Sequence, residues 1–342
     1  MITNSENHRP RLSAASAEVR GAVRAALPAN GLVLVGLSGG PDSLALASAT
    51  AFEARKAGID AGVVIVDHGL QNGSSVVAEK AAAQARVLGL APVVIRKVTV
   101  DKDSNQGLEA AARDARYAAF ESVAAELGAS HILLAHTMDD QAETVLLGLA
   151  RGSGPKSIAG MREESGSAGG SGGQLARYLR PLLGIRKATL LQMCVDEGLE
   201  PWHDPHNTDP KFLRVKIRTE VIPYLEENLS PGIIEALART AAIIDEDATA
   251  LEEQIEEQIE DIVEIAEAGI SISVPWLRAN PVAIRHRTIR MVVQAEFGVS
   301  ISRERTLAVA ALIDSSGEQK RVELPGVVAT RRKDKLIFQA SN

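Results

Sequence analysis

The chain has 342 residues, a formal charge of −7 and a single cysteine, Cys194. That length suffices for two domains with real cores, and one cysteine excludes structural disulfides and cysteine-rich metal or iron–sulfur sites within the chain. The acidic balance argues against a generally basic nucleic-acid binder while leaving local basic patches open. No apolar run approaches the ~20 residues of a membrane span.

Polar Met1–Pro10 lacks the apolar core of a signal peptide, so a reducing cytoplasm is the expected compartment. An apolar run, Val33–Leu37, predicts a strand, broken at once by Ser38-Gly39-Gly40. Pro41 suits a first helical position, and a helix is predicted over Ser43–Lys56. Strands then alternate with Ala-rich helices: Gly62–Val66, Val76–Leu88, Pro92–Ile95, Leu108–Leu127, His131–Ala135 and Gln141–Ala150. This order predicts an α/β fold with a doubly wound parallel sheet, in which ligands sit at the carboxyl ends of strands. Glu164–Gly173 is nearly all Ser, Gly and Ala and reads as a loop. Helices are expected over Ala188–Glu197 and Lys211–Leu225. Ile244, Ala248, Leu251, Ile255, Ile259 and Ile262 mark one face of an acidic helix. Its charges form a solvated face, or that helix packs against a second copy in a homodimer. Helices over Pro281–Phe297 and Arg303–Ile313 and strands over Arg321–Leu324, Val327–Thr330 and Lys335–Gln339 complete a second, smaller, mainly helical α+β domain. The boundary is placed between residues 228 and 229.

Ser38-Gly39-Gly40-Pro41-Asp42-Ser43 carries the strongest chemical signal. Glycines let backbone N–H groups approach an anion, and the helix start adds its positive dipole end. Asp42 would repel phosphate unless a divalent metal lies between them. No Gly-Lys-Ser/Thr follows, so this is not a Walker A loop. Asp67-His68-Gly69-Leu70 ends the second strand and reads either as a hydrogen-bonded turn or as a nucleotide-pocket wall. Glu109 and Arg113 are spaced for an i,i+4 pair, yet Arg113 and Arg116 project on nearby faces and are also suited to gripping a phosphate. In His136-Thr-Met-Asp139-Asp140-Gln-Ala-Glu143-Thr144 the acids are good helix caps, and they also suit Mg²⁺ or a substrate amine. Arg151-Gly-Ser-Gly154 is a flexible cationic loop, with Met161 beyond it. His203 and His206 lack the helical spacing or third ligand of a metal site. Arg214, Lys216 and Arg218 concentrate positive charge, as a solvated face or an RNA contact.

Taken in order, Ser38–Ser43, Val66–Leu70, Glu109–Tyr117, His136–Thr144, Arg151–Met161, Arg180-Pro-Leu-Leu183 and Trp202–Pro223 resemble the tRNA(Ile)-lysidine synthetases, within the PP-loop ATP pyrophosphatase superfamily. The resemblance spans roughly residues 30 to 225. It departs at Thr137, where the family often has His, and at Val215, where it often has Asn. It implies an adenine nucleotide alpha hydrolase-like fold and a cytoplasmic ligase. ATP would adenylate the wobble cytidine of a CAU anticodon in minor tRNA(Ile), releasing pyrophosphate. Free L-lysine would then displace AMP. Ser38, Gly39, Gly40, Pro41, Asp42 and Ser43, with Asp67, His68 and His136, would bind ATP. Asp42 and Asp140 would hold Mg²⁺. Arg113 would stabilise charge on the activated base or on the phosphate, Asp139, Asp140 and Glu143 would orient the lysine ammonium and Mg²⁺, with one of them taking a proton from the amine, and the domain from residue 229 onward would bind tRNA. The rivals are a tRNA thiolase, which needs more cysteines, a small-molecule synthetase, which does not need Trp202–Arg218, and a non-catalytic tRNA binder, which would release no pyrophosphate.

Overall fold

The structure, a computed structural model, describes residues 12–69, 73–100, 107–152, 154–166, 176–202, 204, 211–266, 269–314 and 321–341. Leu70, Ser153, the stretch 167–173, His203 and His206–Asp209 of the sequence motifs lie outside these residues, as do Met1–Pro10 and the side chain of Glu109. The chain forms two compact units, Met1–Ser153 with Ser157–Ala242, and Gly154–Lys156 with Ile243–Asn342.

In the first unit the elements follow as α1 (Ala14–Ala26), β1 (Leu32–Gly36), α2 (Pro41–Ala57), β2 (Asp60–Asp67), α3 (Ser74–Val87) and β3 (Val93–Lys97). Next come α4 (Leu108–Leu127), β4 (Ala129–Leu133), α5 (Met138–Ala150), the single turn α6 (Pro155–Ile158), which is split between the units, then β5 (Glu164–Ser165), β6 (Arg177–Leu179) and α7 (Lys187–Asp196). A short α8 (Leu213–Lys216), one π-helical turn (Ile217–Val221) and α9 (Ile222–Asn228) precede α10 (Ile233–Ile262), inside which the division between units falls.

The sheet order is β3-β2-β1-β4-β6-β5, parallel throughout except for the edge strand β5. The chain builds outward from β1 to β3 and then returns to add β4 on the other side, which makes β1/β4 the topological switch point. Strand alternation supplies the two buried faces. Val33, Val35, Val63 and Ile65 pack with α1, α2, α3 and α7. Leu34, Val64 and Ile132 face Phe120 and Val123 of α4. Glu197, just past α7, accepts hydrogen bonds from Ser16, Arg20 and Ser48 and so ties α1, α2 and α7 together. Cys194 is buried in α7, its thiol 3.5 Å from the Pro41 carbonyl oxygen. A smaller cluster joins Ala142 and Leu147 of α5 to Ile217, Ile222 and Ile234.

The second unit carries β7 (Val263–Ala266), β8 (Gly269–Ser273), α11 (Val274–Ala279), α12 (Val282–Phe297), α13 (Arg303–Asp314), β9 (Arg321–Leu324), β10 (Val327–Arg332) and β11 (Lys335–Ala340). Its sheet is antiparallel, in the order β7-β8-β11-β10-β9. Ile272, Leu336 and Phe338 pack on Val293 and Val309 of the helices. The apolar stripe expected along the acidic helix is seen on α10, where Ala248, Ile255 and Ile262 are buried.

Candidate functional site

Three strand ends at the switch point supply the site. β1 leads into Ser38–Ser43, β2 into Asp67 and His68, and β4 into His136 and the start of α5. Gly39 adopts φ +84°, a left-handed conformation that side chains resist. Its carbonyl accepts the Trp202 N–H at 2.9 Å, which pins the back of the loop. Gly40 caps α2, with Pro41 in the first turn. Ser43 Oγ accepts from the Ser38 N–H (3.1 Å), donates to the Gly40 carbonyl (3.0 Å) and lies 3.0 Å from Ser38 Oγ. The loop is thus held open by its own hydroxyls.

A cavity of about 740 Å³ opens over these strand ends, lined by Ser38, Asp42, Ser43, His68, His136 and Arg116 among others. Trp202, Asp204 and Phe212 complete one wall. Asp67 also faces it, but its carboxylate is engaged in a turn. A Ser74 hydroxyl hydrogen bond, with the Gly69 N–H at 3.0 Å, holds its pKa below the usual carboxylate value. The turn reading therefore accounts for Asp67, while His68 is left with a buried, unpartnered Nδ1. Burial, then Arg116, lowers the His68 pKa. His136 Nδ1 is likewise buried and unpartnered, and burial pushes that imidazole down to about 4. Both rings are neutral hydrogen-bonding groups at pH 7.

Arg113 and Arg116 separate. Arg113 is exposed, with its guanidinium 4.8 Å from the Tyr117 ring centre and donating to the Tyr117 hydroxyl at 3.2 Å. Arg116, one turn on, lines the cavity.

The acidic residues of α5 also divide. Asp139 accepts the Lys187 backbone N–H at 2.8 Å and Arg186 Nε at 3.3 Å, so it caps α7. Asp140 closes a capping box with Thr137, whose N–H and hydroxyl both reach Oδ2 at 2.9 Å. Thr137 is fully buried, which gives this chain's departure from histidine a structural role. Glu143 is fully buried and receives a bidentate pair from Arg218, at 2.6 and 3.0 Å. Arg218 also reaches Asp140 Oδ1 at 3.3 Å. Burial raises the Glu143 pKa despite that partner. Arg218 is thus turned inward and is not part of an outward basic face. Exposed Lys216 remains on that face, and Val215 is buried, an apolar choice where the family often has Asn.

Asp42 sits at the centre. Its Oδ2 is 2.9 Å from Lys187 Nζ, while Oδ1 is buried without a partner. Burial raises its pKa more than Lys187 lowers it, and Asp140 adds to the rise. Among the described residues no group of three or more His, Cys, Asp and Glu side chains forms a closed metal site. Asp42 and Asp140 are nonetheless close enough for each charge to act on the other.

Lys187 carried no sequence signal. It lies far from the Ser38 loop in the chain, in a stretch read only as the approach to a helix. Arg180-Pro-Leu-Leu183 and Met161 prove architectural. Buried Arg180 donates to the Arg162 carbonyl and Ser165 hydroxyl, both at 2.9 Å. Gln141 clasps the backbone of Met161 through reciprocal bonds of 2.7 and 2.8 Å.

The PP-loop domain profile matches residues 15–225. The tRNA(Ile)-lysidine synthase of Leifsonia xyli is 54% identical over 308 residues, covering 90% of this chain and 89% of its own. That of Thermobifida fusca is 45% identical, covering 95% of this chain and 97% of its own. That of Streptomyces coelicolor is 46% identical, covering 92% and 86%. Among solved structures, the U34-tRNA thiolase NcsA from Methanococcus maripaludis, which carries an iron–sulfur cluster, superposes with a TM-score of 0.56. At 18% identity, over 68% of this chain and 80% of the thiolase, that likeness concerns the fold alone.

Proposed function

Because the chain belongs to the tRNA(Ile)-lysidine synthases, a ligase family built on an ATP-using PP-loop domain, we propose that it joins free L-lysine to the wobble cytidine of the CAU anticodon of minor tRNA(Ile). The observation that carries this reading is the shared cavity. An anion-binding loop, two neutral imidazoles, an arginine and a half-buried carboxylate face one space large enough for a nucleotide. In the first step the cytosine O2 attacks the α-phosphorus of ATP and the α–β bridging bond breaks, releasing pyrophosphate. In the second, the lysine ε-amine attacks C2, the bond to AMP breaks, and the amine loses a proton. No helix among the described residues is long and apolar enough to cross a membrane.

Ser38, Gly39, Gly40, Pro41 and Ser43 receive the phosphates, through the loop's N–H groups and hydroxyls and the fixed start of α2. His68, His136 and Asp67 wall the nucleoside end. Asp42 and Asp140 would hold Mg²⁺, for which the orphaned Asp42 oxygen is a fitting ligand. That ion would supply charge neutralisation on the phosphates. Arg116 takes the charge-stabilising role expected of Arg113, because it faces the cavity. For the incoming amine the cation-binding acids are Asp140 and Glu143, which now hold Arg218. Asp139 acts by fixing the start of α7. The region from residue 229 onward would bind tRNA.

The test is pyrophosphate release from ATP with an unmodified tRNA(Ile) transcript, with and without lysine. Release that requires tRNA, with labelled lysine attached to the RNA, is the expected result. Release without tRNA would identify a small-molecule synthetase, and none under any condition would leave a binding protein.

A further inference from the structure

We propose that Lys187 is the phosphate-binding cation of this enzyme, held on Asp42 until ATP arrives and then shared with the nucleotide phosphates. The inference rests on the ATP-ligase reading above and adds a residue to it.

The Ser38–Ser43 loop lacks the lysine that a Walker A loop carries in its own sequence. The fold brings one in from elsewhere. Lys187 is the first residue of α7, and its Nζ lies 2.9 Å from Asp42 Oδ2, in the first turn of α2 beside Ser43. Its backbone is fixed independently of that contact, since Asp139 accepts the Lys187 N–H at 2.8 Å. Asp139 also takes Arg186 Nε, and Arg186 Nη1 reaches Glu235 at 2.5 Å, so the start of α7 is tethered on two sides. The ammonium is therefore placed by the scaffold.

Two features argue against a merely structural ion pair. Asp42 keeps a second oxygen buried and unpartnered, so Lys187 alone does not satisfy the carboxylate. Lys187 itself stays partly open, with 28% of its side chain exposed. A lysine is a compact charge on a flexible stem with three donors. It can release one carboxylate oxygen and turn toward a phosphate while its backbone stays fixed. Paired with Asp42, it lowers the cost of burying that carboxylate. With ATP bound, the same charge meets the oxygens where negative charge grows as pyrophosphate leaves.

The experiment measures ATP affinity by isothermal titration without tRNA or lysine, for wild type, Lys187→Met and Lys187→Arg. Mn²⁺ binding by electron paramagnetic resonance and melting temperature are read in parallel. Losing a charge-assisted phosphate contact weakens binding about tenfold or more. The expected result is therefore at least a tenfold weaker ATP affinity for Lys187→Met, largely restored in Lys187→Arg. Mn²⁺ should bind Lys187→Met no more weakly than wild type, because the Asp42 oxygen is freed. A folded Lys187→Met with wild-type ATP affinity overturns the proposal while leaving the ligase reading intact. So does a Lys187→Arg variant as weak as Lys187→Met. Wild-type protein that binds no ATP overturns the ligase reading and this proposal together. If Lys187→Met does not fold, Lys187→Gln takes its place with the same expected and overturning outcomes.

Discussion

Replacing Arg218 by Met leaves a carboxylate stranded in the core of the site. Glu143 has no exposed side-chain area, and Arg218 covers both of its oxygens, at 2.6 and 3.0 Å. Removing one partner of a buried pair costs about 3–5 kcal/mol. Because 30% of the Arg218 side chain is exposed, the lower end, about 3 kcal/mol, is the working figure. In a unit of this size each kcal/mol moves the melting temperature by about 2–4 °C, giving a fall of roughly 6–12 °C. The pH dependence makes the test specific. Burial already raises the Glu143 pKa above its unfolded value, and Arg218, ahead of Arg214, is the main group that opposes the rise. Without Arg218 the folded state holds the proton more tightly still. The stability this contributes is present below the unfolded pKa and is lost as pH rises through the folded one. Arg218→Met should therefore recover part of its loss as the pH is lowered from 8 to about 5.5. Glu143→Gln should cost less, and the double variant less than the sum of the two. Scanning calorimetry at several pH values decides it. A fall under about 2 °C, or one equal at both ends of that pH range, would refute the reasoning.

The remaining predictions are simpler. His136 is depressed to about 4 by burial, so the unfolded chain binds its proton more readily. Wild-type stability should fall as pH drops from about 6.5 toward 4, and His136→Gln should flatten that slope in urea titrations. Asp139→Ala removes the cap of α7 and should cost about 1–2 kcal/mol by urea denaturation; an unchanged midpoint would deny Asp139 that role. A Cβ at position 62 would lie 2.6 Å from the Pro92 carbonyl oxygen, which itself accepts the Val63 N–H. Gly62→Ala should therefore destabilise by about 1–3 kcal/mol, read from the same denaturant midpoint.

Much of the first unit was legible because each parallel strand is a short apolar run bounded by helices of ordinary length. β1 to β4 were expected within a few residues of where they lie. In the second sheet β9, β10 and β11 were equally legible, while β7 and β8 were not. β7 and β8 are brief, and Val263–Ala266 continues the apolar rhythm of the long helix before it, so nothing local marks the change. β5 and β6 are two and three residues long and exist only through their pairing. The Ser38 loop could be read because its chemistry is contiguous. Lys187 could not, since an ion pair between elements distant in sequence leaves no spacing to recognise. The inward turn of Arg218 was hidden for a related reason. Beside Arg214 and Lys216 it looks like one more surface cation, and its partner Glu143 lies on another helix.

Cys194 gives the seam between α2 and α7 a reporter of its own. Its thiol rests against the Pro41 carbonyl, and burial pushes its pKa up to about 11. An alkylating reagent needs an exposed thiolate, so native protein should react only through excursions that part the two helices. With no second thiol in the chain, every modified molecule records the same event. Comparing its labelling rate with that of an unfolded control converts directly into an opening free energy at the floor of the phosphate site. If ATP anchors on the loop at the start of α2, saturating nucleotide should slow that labelling well before any global melting changes.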